Sequence, residues 1–202
     1  MRRTESHQAL LALLAFLLAL VAGCGLFKPR DPRSGGGPGV NCATPNSPDN
    51  VVANILAHYA ELAGTTCYSD MLDASFAFHP DATDSNEIAP GDTSYVHWTR
   101  DIESRDARNV AADATTRLVS FDGEYASRVI SADQRTQIRF YNYHLILHAS
   151  QVAPDTLFQG LADITFFQGD DAQWHITSWV DKRDGSGART WGYLRRVYRV
   201  GF

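Results

Sequence analysis

Three cysteines in 202 residues are too few for a multi-disulfide miniprotein, and no pair of them stands at zinc-finger spacing. Cationic charge is also scarce. Eighteen Lys+Arg against 23 Asp+Glu give a formal charge of −5, which argues against a body built to coat nucleic acid. The chain lacks a Gly-x-Ser-x-Gly sequence for a nucleophile and a His-x-His or His-Glu-x-x-His pattern for a metal. Its glycine-rich run 35–39 precedes no helix at phosphate-binding spacing. No metal and no cofactor is therefore expected. What remains is 44% hydrophobic and 20% charged, ordinary for a globular domain and too apolar for a wholly disordered chain.

The amino terminus carries an address. Arg2 and Arg3 precede fourteen uncharged residues, Ala9 to Ala22, and Val21-Ala22-Gly23 leads into Cys24. A basic start, an apolar middle and small residues before a cleavage point describe a secretory signal. With a cysteine directly after the small residues, the segment resembles the bacterial lipoprotein signal. The resemblance implies cleavage after Gly23, a diacylglycerol on the Cys24 thiol and acylation of the new amino terminus. Two or three acyl chains anchor firmly where one holds loosely, because each buried methylene contributes about 0.8 kcal/mol. The alternative is an uncleaved membrane helix, since the uncharged run extends nineteen residues to Phe27. Gly25 stands where an Asp would resemble an inner-membrane retention signal, which favours an outer-membrane or other extracytoplasmic site. Loss of residues 1–23 removes Arg2, Arg3 and Glu5 and leaves the rest more acidic, so the lipid must do the holding.

Residues 24–47 read as the lipidated cysteine and a flexible Pro/Gly tether, with Ser34-Gly35-Gly36-Gly37-Pro38-Gly39 at its centre. Such a linker spans on the order of 26 Å. Cys42 and Cys67 are the thiols left over, and outside the cytoplasm two thiols tend to pair. The intervening helix and its flanking extended residues allow the bridge; a buried Cys67 with a loose Cys42 is the alternative.

From residue 48 to 202 the chain reads as one domain. Ser47 caps, Pro48 suits the first helical position, and Asp49 favours the positive end of the dipole. Val52, Ile55, Leu56, Tyr59, Leu62 and Ala63 then form a helical stripe. A short helix is expected around Asp70-Met71-Leu72, a strand over 75–80, a polar loop over 81–93, and a helix from Thr99 to about Ala112. After that the period changes to two. Residues 116–121, 134–148, 157–168 and 174–182 read as strands separated by Asp/Gly turns. The expected class is α+β, with about three helices packed on a curved antiparallel sheet of four to six strands.

This order resembles the nuclear-transport-factor-two-like superfamily, the cystatin-like cone that includes SnoaL-like domains. Tyr59, the run Met71-Leu72-Asp73…Phe76-Ala77-Phe78-His79, Trp98, Ala162-Asp163-Ile164-Thr165-Phe166 and Trp174-His175-Ile176…Trp179-Val180-Asp181 carry the resemblance, over about residues 48–183. It implies a conical pocket between helices and sheet, which some relatives use for catalysis and many only for binding. Thr190-Trp191-Gly192-Tyr193 with Arg195, Arg196 and Arg199 lies beyond that cone and reads as a strand or tail with solvated charges.

The long strand offers two faces. The even set is Ile138, Phe140, Asn142, His144, Ile146 and His148; the odd set holds Tyr141, Tyr143, Leu145 and Leu147. An inward even set gives an apolar wall with convergent polar groups. The odd aromatics would then form a convex face open to a homodimer. The expected ligand pocket is accordingly Tyr59, Phe78, His79, Trp98, Asn142 and His144. His144 and His148 are about 13 Å apart along the strand and cannot share a metal ion. Relatives such as ketosteroid isomerases and scytalone dehydratase place Tyr, Asp or His in the cone, and Tyr59, His79, His144 and Asp163 are residues of those types. No catalytic residue is assigned. The expected function is a lipid-anchored envelope protein binding a small apolar ligand or a protein partner without catalysis. A small acid–base lyase or isomerase and a structural envelope dimer are the alternatives.

Overall fold

The computed structural model describes residues 42–61, 66–88, 90–91 and 97–200. Cys24, the signal segment and most of the tether lie outside the described residues. Residues 39–202 form one unit. Among the described residues, no helix is long and apolar enough to cross a membrane.

The elements run α1 (Pro48–Glu61), α2 (Cys67–Asp70), β1 (Leu72–His79), α3 (Ala82–Ile88), α4 (Arg100–Asp113), β2 (Thr115–Glu124), β3 (Val129–Ile130), β4 (Thr136–His148), β5 (Thr156–Gln168), β6 (Trp174–Lys182) and α5 (Trp191–Val200). The class is α+β. Ser47 caps α1, its Oγ accepting from the Asn50 amide at 3.3 Å. Cys42 and Cys67 are joined by a disulfide with Cα atoms 5.5 Å apart. The 42–46 segment lies back along α1: Asn54 bonds Ala43 N and O at 2.7 Å each, and Pro45 O accepts from Trp174 N.

The sheet is six-stranded in the order β1-β6-β5-β4-β2, with β3 also paired to β4. Bulges in the β2/β4, β5/β6 and β1/β6 pairings bend it, since an extra residue on one strand increases local twist. Three expectations are corrected here. The sheet is not wholly antiparallel, because β1 lies parallel to β6; α3, α4 and the intervening strands separate them in sequence, so the crossover is long enough for a parallel pair. The polar stretch after β1 holds a helix, α3: Asp81 just before it accepts from the Thr83 amide, and the helix's own acids are spent on ion pairs, Asp84 with Arg183 and Glu87 with Arg189. The short helix lies at Cys67–Asp70, upstream of its expected place, because β1 begins already at Leu72.

The largest correction is at the carboxyl end. Residues 191–200 are not a tail but a helix, and Trp191, Leu194, Arg195 and Tyr198 are fully buried. Their spacing of i, i+3, i+4, i+7 is one helical face. That face lies against the concave side of the sheet, where Trp191 meets Tyr143 at 5.3 Å, Trp179 at 5.2 Å and Tyr59 at 4.5 Å between ring centroids.

Candidate functional site

Alternation along β4 decides which groups face the helices. Arg139, Tyr141, Tyr143, Leu145 and Leu147 are buried, whereas Ile138, Phe140, Asn142, His144 and Ile146 are half-exposed and His148 is exposed. The odd set faces inward, opposite to the expectation. Volume is consistent with this: Tyr141 and Tyr143 stand opposite Ala162 and Gly160 across the β4/β5 pairing, and those two small residues leave room for the tyrosine rings on the inner face. The convex face therefore carries the even set and not the aromatic pair Tyr141 and Tyr143.

The six expected pocket residues consequently divide. Tyr59, Phe78 and Trp98 lie in the concave core. His79 follows Phe78 on one strand, so period two turns it outward, and it is exposed. Asn142 and His144 stand on the convex face, where His144 Nδ1 contacts Asp122. The six residues do not border one cavity. Asp163 is also on the outer face, held by Lys182 and the Tyr125 hydroxyl.

What the concave side does contain is a buried charge cluster missed from the sequence. Glu103 of α4 is fully buried and meets Arg195 of α5, Nε to Oε1 at 2.9 Å and Nη2 to Oε1 at 2.8 Å. Tyr68 donates its hydroxyl to Oε1 at 2.6 Å, and Trp98 donates Nε1–H to Oε2 at 2.7 Å. The Arg195 guanidinium lies 4.2 Å from the Phe78 ring centroid and 4.5 Å from that of Trp179. Burial opposes the Arg195 charge, yet the Glu103 carboxylate, with Tyr68 and Tyr59, holds its pKa well above the ordinary value. Burial pushes the Tyr68 hydroxyl up in the same place.

A second buried group seats the start of α5. Asp181 accepts from the Tyr143 hydroxyl at 2.8 Å and from the Gly192 amide at 2.6 Å, while Tyr143 Oη accepts from the Trp191 amide at 2.8 Å. These bonds satisfy the otherwise orphaned amides of the first helical turn and put a carboxylate at the positive end of the helix dipole. Burial nevertheless raises the Asp181 pKa to about 6, with Arg195 and the Tyr143 bond pulling the other way. The signal for these groups was present in part. Glu103, Asp106, Ala107 and Val110 are one helical stripe of α4, but two acids in it read as surface and dipole charges rather than core.

The interior can therefore hold a helix in place by paired charge. Of its buried acids, Glu103 and Asp181 are bonded to protein groups while the Asp106 carboxyl oxygens have no hydrogen-bond partner among the described residues, and no group of three or more His, Cys, Asp or Glu side chains among the described residues could hold a metal. One hollow lies to the side, between α4 and α5: a cavity of about 150 Å³ lined by Ile102, Arg105, Asp106, Asn109 and Arg199.

No protein-family model matches the chain, and no curated protein does. Solved structures are similar to it in fold. A protein of unknown function from Mycobacterium tuberculosis is 12% identical, covering 76% of this chain and 84% of its own, with a TM-score of 0.49. A protein assigned as a scytalone dehydratase from Novosphingobium aromaticivorans is 11% identical, covering 71% and 90%, at 0.49. A nuclear transport factor 2-like superfamily protein from Salmonella enterica is 8% identical, covering 68% and 89%, at 0.45.

Proposed function

We propose that this chain is a bacterial envelope lipoprotein, acylated at Cys24 and tethered through residues 24–47, whose domain binds a protein partner without catalysis. The observation that carries the non-catalytic part is the seat of α5. Trp191, Leu194, Arg195 and Tyr198 occupy the concave side, where a small apolar ligand would otherwise lie. Acid–base chemistry needs two titratable groups converging on a substrate atom within hydrogen-bond reach. Here Glu103 is bonded to Arg195, Tyr68 and Trp98, and Asp181 to Tyr143 and Gly192, so both acids serve the protein itself. The anchor rests on the sequence around Cys24.

Two experiments test the two halves separately. Metabolic labelling with a palmitate analogue should tag the wild type and not Cys24→Ala; equal labelling of both rejects the anchor. Titration with an apolar fluorescent dye should give no saturable uptake by the native chain and should give uptake by Trp191→Ala. Stoichiometric uptake by the native chain would restore the apolar-ligand reading.

A further inference from the structure

Cations are unevenly partnered over the domain. Every Lys and Arg described from Arg117 to Arg195 sits in an ion pair with a described carboxylate, as Arg183 does with Asp84 and Arg195 with Glu103. Arg100, Arg105 and Arg108 of α4 have no such partner among the described residues; Asp73 and Asp106 act on Arg100 and Arg105 from beyond ion-pair distance. Arg105 and Arg108 are exposed and Arg100 is half-exposed. Their placement does not serve the helix. Arg100 opens α4, where the dipole disfavours a cation, and Arg105 and Arg108 stand three residues apart, where like charges repel. Arg199 of α5 adds a guanidinium beside Arg105 in the hollow between the two helices, packed over the Trp98 ring at 5.1 Å from its centroid. Next to it, Arg100 and Arg108 share a second hollow of about 390 Å³ with Ser69, Ser104, Asp70 and Asp101. In the two hollows four guanidiniums thus meet two exposed carboxylates, Asp70 and Asp101, with Asp106 buried.

The chain enters the domain beside this face. Cys42 is bridged to Cys67, and Thr66, next to Cys67, lines the same hollow as Arg100 and Arg108. From an anchor at Cys24, a Gly-rich chain over residues 24–41 spans on the order of 23 Å, which keeps the point of entry within reach of the bilayer. We propose that the α4 face carried by Arg100, Arg105 and Arg108 is a docking surface for the anionic headgroups of the bilayer that holds the anchor. The choice of partner rests on the lipoprotein reading; the unpaired guanidiniums do not. A surface feels only the charge within a Debye length, about 10 Å at 0.1 M salt, so the −5 of the whole chain does not decide the contact. Phosphodiester oxygens accept from guanidiniums in charge-assisted bonds. Each basic residue adds little alone, but the tether holds the face at high effective concentration. An acidic protein segment would meet the same guanidiniums, yet nothing would place it beside Cys67.

Vesicle co-sedimentation of the mature chain, residues 24–202 with Cys24→Ser to leave out the acyl groups, tests the face apart from the anchor. Saturable binding to phosphatidylglycerol vesicles is expected at about 50 mM salt, with none to phosphatidylcholine and release at about 500 mM. Arg105→Gln and Arg108→Gln should each weaken it about fivefold, and together about twenty-fivefold. Both positions are exposed, so the unfolding midpoints should stay native and separate lost binding from lost fold. Arg128→Gln, which removes a cation already paired with Glu124, should change binding by less than about twofold. No saturable binding, equal binding to phosphatidylcholine, or equal losses from Arg128→Gln and Arg108→Gln would each overturn the proposal. Capture by polyglutamate but not by vesicles would give the face to an acidic protein and overturn it as well. Palmitate labelling that fails while vesicle binding persists removes the anchor alone; labelling that succeeds without vesicle binding removes this face alone.

Discussion

The two faces of strand β4 are built from similar material and behave differently. Each carries aromatic, aliphatic and polar side chains in alternation. On the concave face Arg139, Tyr141 and Tyr143 are buried, with the Tyr143 hydroxyl bound to Asp181 and α5. On the convex face Asn142 and His144 are half-exposed, and the His144–Asp122 contact is open to water. The difference lies in what covers them. Polar groups become expensive and specific only where α1, α4 and α5 exclude water, and there each needs its partner.

The largest test of that contrast removes one half of the central pair. Arg195→Met should cost about 3–5 kcal/mol in denaturant unfolding, since it strands the Glu103 charge, and adding Glu103→Leu should recover most of the loss. A double variant no better than the single would show that the pair is not the reason for the cost.

Next comes pH. The folded-state pKa of Asp181, about 6, lies above its ordinary 3.8, so its contribution is fully present below the ordinary value and is lost as pH rises through about 6. The loss is about 3 kcal/mol. Asp181→Asn imitates the protonated acid, one oxygen accepting from Gly192 and its amide donating to Tyr143. The stability difference between wild type and variant should therefore shift in the variant's favour between pH 4 and pH 6. A difference constant with pH would remove Asp181 as the titrating group.

Smaller again is a packing test. A Cβ on Gly160 would lie 2.6 Å from the Lys182 carbonyl oxygen and 2.7 Å from Tyr143 Oη, so Gly160→Ala should destabilise by about 1–3 kcal/mol, read as a fall in the urea midpoint. The smallest effect belongs outside: His144→Leu and Lys182→Met should each stay within about 1 kcal/mol. Costs there equal to those inside would abolish the distinction between the faces.

Much of this architecture was legible in the chain. The Ser47-Pro48-Asp49 start of α1 and the aromatic, branched runs of β4, β5 and β6 announce themselves because local chemistry and period agree. The inward face of β4 was not legible, since both of its sets mix apolar and polar residues and the choice is made by helices elsewhere in the sequence. The α5 helix was missed for a related reason. Arg195 sits in the middle of its Trp191–Tyr198 stripe, and a cation there reads as a surface unless its distant partner Glu103 is known. For the same cause the pocket set was drawn across both faces, pairing Phe78 with His79, neighbours that one strand must point apart.

The disulfide has a mechanical consequence. Helix α1 lies inside the covalent loop closed by Cys42 and Cys67. Tension arriving along the chain from upstream of Cys42 passes through sulfur to Cys67 and loads β1 next, through the short α2. It bypasses α1 altogether. A pull that would otherwise peel away that helix turn by turn must instead shear β1 from β6, where several backbone bonds resist together.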